Sequence, residues 1–413
     1  MTKTKKILIA ISSCMCLVDV FYNLFFNIYI MENVTSNIVS LFLYYLIGII
    51  FALLLYYPFF KILNKKTAIW LYRISFVFSF VLTILSMLVN SAFAFALILI
   101  NALRYIFCLL FYVPHEIETI HSTTQKSVPN FLAWQSVFSI VITVVCNLFV
   151  SYLFDFFSIY VLLSIILIDV VVMFVLSMFI PTINVDNKFE PKKYFTTFKK
   201  YPHLKNIYTS HFFKRMAEAG VVSSIIPIML YMKLGSGFSI GIYASIASVC
   251  TAILLPIFVK LYAHKHTILI VSDVISIIMS ILLIFLINPV VYIIYYFINK
   301  IVNSFFSNAE ISTLFGAVKY NEFSMYDSEH VFTYGVFGLM AEIISYVVGI
   351  VVCILAPIEL AIPIIITIFM IIKLISILYL LKADKSIKEI KTELTAISET
   401  NEPALEKIEG TKN

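Results

Sequence analysis

Seven ionisable side chains lie deep inside apolar runs of this 413-residue sequence: Asp19, Arg104, Asp169, Glu218, Lys300, Glu342 and Lys373. A charge in such surroundings costs roughly several kcal/mol, so it is kept where it meets water, a partner or a function. Acids and bases at that depth can hold a polar solute, or they can take up and release a proton. Burial disfavours a carboxylate's charge and a basic neighbour restores it, so a carboxylate whose partner is repositioned becomes a proton switch. Asp19 with Arg104, and Glu218 with Lys300, are the expected pairs. The competing reading is static ion pairs that pin helices together. It is favoured for Glu218, because Lys214 and Arg215 lie one turn away on the same helix. Glu342, with Gln135 and Asn147, could bind a solute or make helix-to-helix hydrogen bonds.

These residues fall in stripes. Asp19, Asn23 and Asn27 recur at four-residue spacing; Asn101, Arg104 and Cys108 at three and four. His211, Arg215 and Glu218 form a third stripe, and Tyr296, Lys300, Asn303, Ser307 and Glu310 a fourth. Such spacing puts each set on one face of a helix.

The helices that must carry them are membrane spans. Hydrophobic residues make up 62% of the chain and charged ones 13%, far from the balance of a soluble domain. A bilayer accepts that excess, at about 20 apolar residues per spanning helix. Apolar runs broken by polar punctuation give twelve spans, near 7–30, 38–60, 68–90, 92–113, 131–153, 157–180, 208–232, 239–261, 267–287, 290–312, 331–354 and 358–381. The first run is too long for a signal-peptide core.

Lysine and arginine orient the spans. Lys3, Lys5 and Lys6, then Lys61, Lys65 and Lys66, then Lys126, fall on one side with the cluster from Lys188 to Lys205, Lys265, Lys319 and the C-terminal tail. The opposite loops, near Glu32, Asn90, Asp155, Pro289 and Glu359, carry none apart from Lys233 nearby. Both termini are therefore expected in the cytoplasm, in a multi-pass protein of the cell membrane. The expected organisation is a six-helix bundle over 1–180, a basic linker over 181–207, a second bundle over 208–382, and a tail over 383–413 that is a solvated helix or disorder.

The two bundles share landmarks at an offset of about 200 residues, a parallel repeat of the kind found in transporters. Pro58 to Lys61 lies over Pro256 to Lys260, and each precedes a short basic turn. Arg73 lies over Asp273, Glu116-Ile117-Glu118-Thr119 over Glu310-Ile311-Ser312-Thr313, and Asp19 over Glu218. With these landmarks the chain resembles the major facilitator superfamily along almost its whole length. The turn Lys61-Ile-Leu-Asn-Lys-Lys-Thr67 keeps that family's basic residues but lacks its glycine and acid. Arg104 matches the arginine of the proton-antiporter branch, while Cys108 stands where that branch has glycine. The glycine-rich motif of drug antiporters is absent from 131–153.

The resemblance implies that spans one, four, seven and ten line a central path, and that Lys61, Lys65, Lys66, Arg73, Lys260 and Asp273 belong to gate turns. Asp169 and Lys373, on spans it makes peripheral, do not fit. It also implies a monomeric secondary transporter of a small solute, coupled to protons, working by rocker-switch alternating access with a lean to efflux.

Other classes are weaker. The net charge of +6 follows topology rather than a nucleic-acid surface. No Walker, GxGxxG, GxSxG or HExxH pattern occurs, the six cysteines are scattered through apolar runs without CxxC, and His264-Lys265-His266 sits in a basic turn, so no cofactor, metal site or enzymatic activity is expected. The alternatives are a lipid-linked oligosaccharide flippase, a membrane-embedded glycan polymerase or acyltransferase, and a non-transporting sensor or immunity protein.

Overall fold

Inside a bilayer no water satisfies the backbone, so a spanning segment must bond its own N–H and C=O groups, which an apolar helix does. The computed structural model describes residues 3–122, 128–183, 185, 189–261, 265–286, 288–319 and 327–409. Among them it is helical with no strand. Twelve stretches of the described residues are long and apolar enough to cross a membrane: Lys6–Asn33, Ile38–Ile62, Ala68–Leu88, Ala96–His115, Phe138–Phe156, Ile159–Met178, Pro202–Leu234, Gly237–Phe258, Lys265–Phe285, Pro289–Leu314, Ser328–Leu355 and Ile358–Ile390. They are called spans one to twelve below. This is an all-α, multi-pass membrane protein.

Boundaries depart from expectation at spans seven and twelve. Span seven starts at Pro202 rather than 208, and the stretch before it holds a short helix, Pro191–Phe198. The helix of span twelve runs on without interruption from Ile358 to Glu409, so the charged tail continues it. Hydropathy marks where apolar surface ends; it does not mark where a helix ends.

Large apolar side chains point outward along the spans, among them Leu54, Trp70, Ile168, Ile253 and Phe285. Inward-facing aromatics such as Phe21, Phe25, Tyr45 and Tyr346 form the core. Lipid rewards contact between apolar surfaces little, so helices associate where small residues let backbones approach. A Cβ on Gly335 would collide with Tyr56 where span eleven meets span two, and one on Gly241 would collide with Ser151 where span eight meets span five.

Two spans are irregular, and both irregularities lie at mid-depth. Span one contains a π-helical turn at Phe21–Phe25, a distortion frequent at functional sites. Span seven is broken: Pro202–Glu218 ends, Ala219 is extended, Gly220 takes φ 61°, ψ −125°, and Val221–Leu234 begins. A residue with a side chain strains there, so glycine is required.

The two ends of the bundle are tied differently. Beyond span two, Asn64 Oδ1 accepts from the backbone N–H of Lys66 and Thr67 at 2.9 and 3.2 Å. This builds the turn that displays Lys61, Lys65 and Lys66 to solvent. At this lysine-bearing end, Phe60, Phe189 and Phe332 interlock with ring centroids 5.1–5.5 Å apart. At the opposite end, Tyr231 donates to Glu32. There Asp155 caps the start of span eight, accepting from the N–H of Gly237 at 2.9 Å and of Phe238 at 2.8 Å. An aspartate accepting from free N–H groups satisfies an otherwise open helix end.

Candidate functional site

The polar stripes of spans one, four and seven converge on a cavity of about 700 Å³ between spans one, two, four, seven, ten and eleven. An alcove of about 360 Å³ adjoins it; the two share Asn23, Glu218, Ser223, Asn303 and Ser307 in their linings. On spans four, seven and eleven the lining extends from mid-depth toward the lysine-bearing end, through Tyr112, Lys214 and Tyr334. Asn23, on the π turn, and Ser223, just past the break in span seven, are exposed although both sit well inside their spans. Both irregularities therefore present polar groups to the cavity.

On the wall built by spans one, two and four, Arg104 donates to Asn23 Oδ1 at 2.6 Å and reaches the Tyr45 hydroxyl at 3.5 Å. Its guanidinium carbon also stands 5.7 Å from the Tyr22 ring centroid, within cation–π range. Asp19, one turn before Asn23, accepts from the Tyr112 hydroxyl through both oxygens, at 2.9 and 3.2 Å. Asp19 and Arg104 thus share a wall without forming an ion pair. Asn27 is buried and accepts from Tyr45.

The facing wall holds two closed charge networks. Glu342, buried on span eleven, pairs with Arg215 and accepts from the hydroxyl of Tyr105 across the cavity at 3.1 Å. Glu310, fully buried on span ten, accepts from Lys214 at 2.6 Å and meets His211 at 3.0 Å, while Lys214 also donates to Ser307 at 2.8 Å.

The expected pair of Glu218 with Lys300 does not form. Glu218 lies 3.0 Å from Lys373 of span twelve, which also donates to Asn303. The side chain of Lys300 lines the alcove, 5.9 Å from the Tyr296 ring centroid; among the described residues no carboxylate comes within 4.0 Å of it. Lys373, which the sequence placed on a peripheral helix, is fully buried because that face of span twelve packs against spans seven and nine.

Whole-chain comparison adds the fold. No family profile matches the chain, and no curated protein matches it in sequence. One solved structure, described as "Structure of a bacterial metal transporter", superposes with a TM-score of 0.56 at 13% identity, covering 95% of this chain and 99% of that one. The fold is transporter-like. At that identity the likeness speaks for the fold alone.

The remaining sequence candidates scatter. Asn101 is fully buried, has neither amide atom bonded, and packs where Gly48 of span two approaches span four, away from the cavity. Gln135 lies on the helix Val128–Phe156, and its side chain is outside the described residues. Lys61, Lys65, Lys66 and Lys260 are solvent-exposed. Arg73 donates to the Ile180 carbonyl at 3.1 Å and stands over Trp70. Asp273 is not at a surface turn: it is fully buried among spans seven, nine, ten and twelve. Hydropathy alone gave no signal for Tyr45, Tyr105 and Tyr112, which bond the deep charges; they are three among 25 tyrosines.

Proposed function

We propose that the protein is a secondary transporter of the major facilitator type, located in the cell membrane. In this reading it carries a small polar solute through the central cavity by alternating access and couples that movement to protons. One observation carries the reading: charged side chains from spans one, four, seven and eleven meet at mid-depth around a common cavity, where each would be costly if it served no function.

The cavity acids and bases point to the solute. Asp19, Glu218 and Glu342 stand against Arg104, Lys214 and Arg215 in the main lining. Glu218 and Glu342 are engaged by Lys373 and Arg215, leaving Asp19 and Arg104 as the charges without an oppositely charged partner. Opposite charges on one wall favour an organic solute that carries both signs. A metal ion, the cargo printed for the structural neighbour, would need a cluster of hard or imidazole ligands, and among the described residues no group of three or more His, Cys, Asp or Glu converges. Asp19, reached by water and held by a tyrosine rather than a base, is the proposed coupling carboxylate on this wall.

The test is uptake from a labelled extract of small metabolites into proteoliposomes under an imposed pH gradient. Gradient-driven accumulation by the wild type, with downhill exchange surviving but accumulation lost in Asp19→Asn, is the expected result. Equal accumulation by both proteins removes the coupling role, and none by the wild type removes the reading.

A further inference from the structure

Behind the alcove, spans seven, nine, ten and twelve enclose two carboxylates around one ammonium. Lys373 is 0% exposed, as is Asp273 on span nine. Glu218 Oε1 lies 3.0 Å from the Lys373 nitrogen, and the side-chain Oδ1 of Asn303 accepts a hydrogen bond from the same ammonium. Among the described residues neither oxygen of Asp273 has a hydrogen-bond partner, nor does the nearby Tyr295 hydroxyl. The charged groups acting on Asp273 are Lys373 and Glu218. Lys300 lines the same alcove as Glu218, and among the described residues no carboxylate comes within 4.0 Å of it.

An ionised carboxylate that is buried and unbonded has a prohibitive desolvation cost, and such a group neutralises instead. Lys373 can balance one negative charge, not two. Glu218 keeps 13% of its side-chain surface accessible and borders the cavity; Asp273 has no such access. The proton that balances the cluster therefore belongs on Asp273.

We propose that Glu218, Lys373 and Asp273 form a proton-binding site in which Asp273 is protonated in this conformation and Lys373 moves between the two carboxylates. When Lys373 turns from Glu218 to Asp273, the Asp273 proton passes to Glu218, the carboxylate that borders the cavity, so charge and protons both balance. Its link to transport rests on the function proposed above; the occupancy of the site does not.

Infrared spectroscopy of the purified full-length protein in lipid nanodiscs at neutral pH, without solute, reads the site through the C=O stretch of protonated carboxyls. Asp273→Asn is expected to remove one carboxyl's intensity from that band. Lys373→Met is expected to add one, because Glu218 loses the ammonium 3.0 Å away. An unchanged band in either variant overturns the proposal. Each variant decides alone, so failure of one to fold leaves the other as the test. No flux is measured, so this result and the failure of the transport reading are separable.

Discussion

Arg215 and Glu342 show how a deep charge is held. Glu342 is buried while Arg215 keeps 44% of its side-chain surface accessible, so removing the acid leaves a base that solvent screens in part, at less than the full cost of breaking a buried pair. Glu342→Gln should therefore lower the thermal unfolding midpoint in detergent, and adding Arg215→Met should recover most of the loss; an additive further loss would mean that the two residues act separately. Arg104 is a different case, because its guanidinium spans Asn23 and Tyr45 at once. Lysine keeps the charge but not the fork, so Arg104→Lys should cut gradient-driven uptake tenfold or more, about 1.4 kcal/mol or above, with the midpoint unchanged. The depth of Asp19, Arg104, Glu218 and Glu342 was legible in the sequence as charge inside an apolar run. Their partners were not, because partner choice depends on which helix faces meet. That is why Lys373, set aside as a misfit, turned out to hold Glu218.

The helices carry their own tests. Gly220 sits at φ 61°, and a Cβ there would come within 3.0 Å of Ser345 Oγ. Strain at such a backbone position is worth on the order of 1–3 kcal/mol, so Gly220→Ala should destabilise the protein measurably in a thermal-shift assay and, by straightening span seven, reduce uptake as well. A variant as stable and active as wild type would show that the break is incidental. Sequence patterning found all twelve spans, since about 20 apolar residues in a row leave little else to build. It missed the break at Ala219–Gly220 and the π turn at Phe21–Phe25. Neither interrupts an apolar run, and a lone glycine such as Gly220 does not by itself mark a break. The repeat alignment sent Asp273 to a surface turn for a related reason: an offset places residues along a helix axis and says nothing about the face they occupy.

Across the whole molecule, the cavity lining on spans four, seven and eleven extends toward the lysine-bearing end, while Tyr231 with Glu32 and Asp155 with the start of span eight link spans one with seven and five with eight at the other end. The proposed alternating access requires two states, and this asymmetry fits one of them. The lysine distribution predicts which end faces the cytoplasm; which end is tied depends on contacts between distant spans, and no local pattern records them. The decisive measurement uses a protein whose six native cysteines are replaced, reconstituted in sealed vesicles of known orientation, with Asn23→Cys as a reporter for membrane-impermeant thiol reagents. The account predicts labelling from both sides of the membrane. It predicts labelling from the lysine-bearing side alone once Glu32→Cys and Tyr231→Cys are added and cross-linked, with two-sided labelling restored by reductant. Labelling confined to one side before any cross-link, or two-sided labelling that persists after it, contradicts the account.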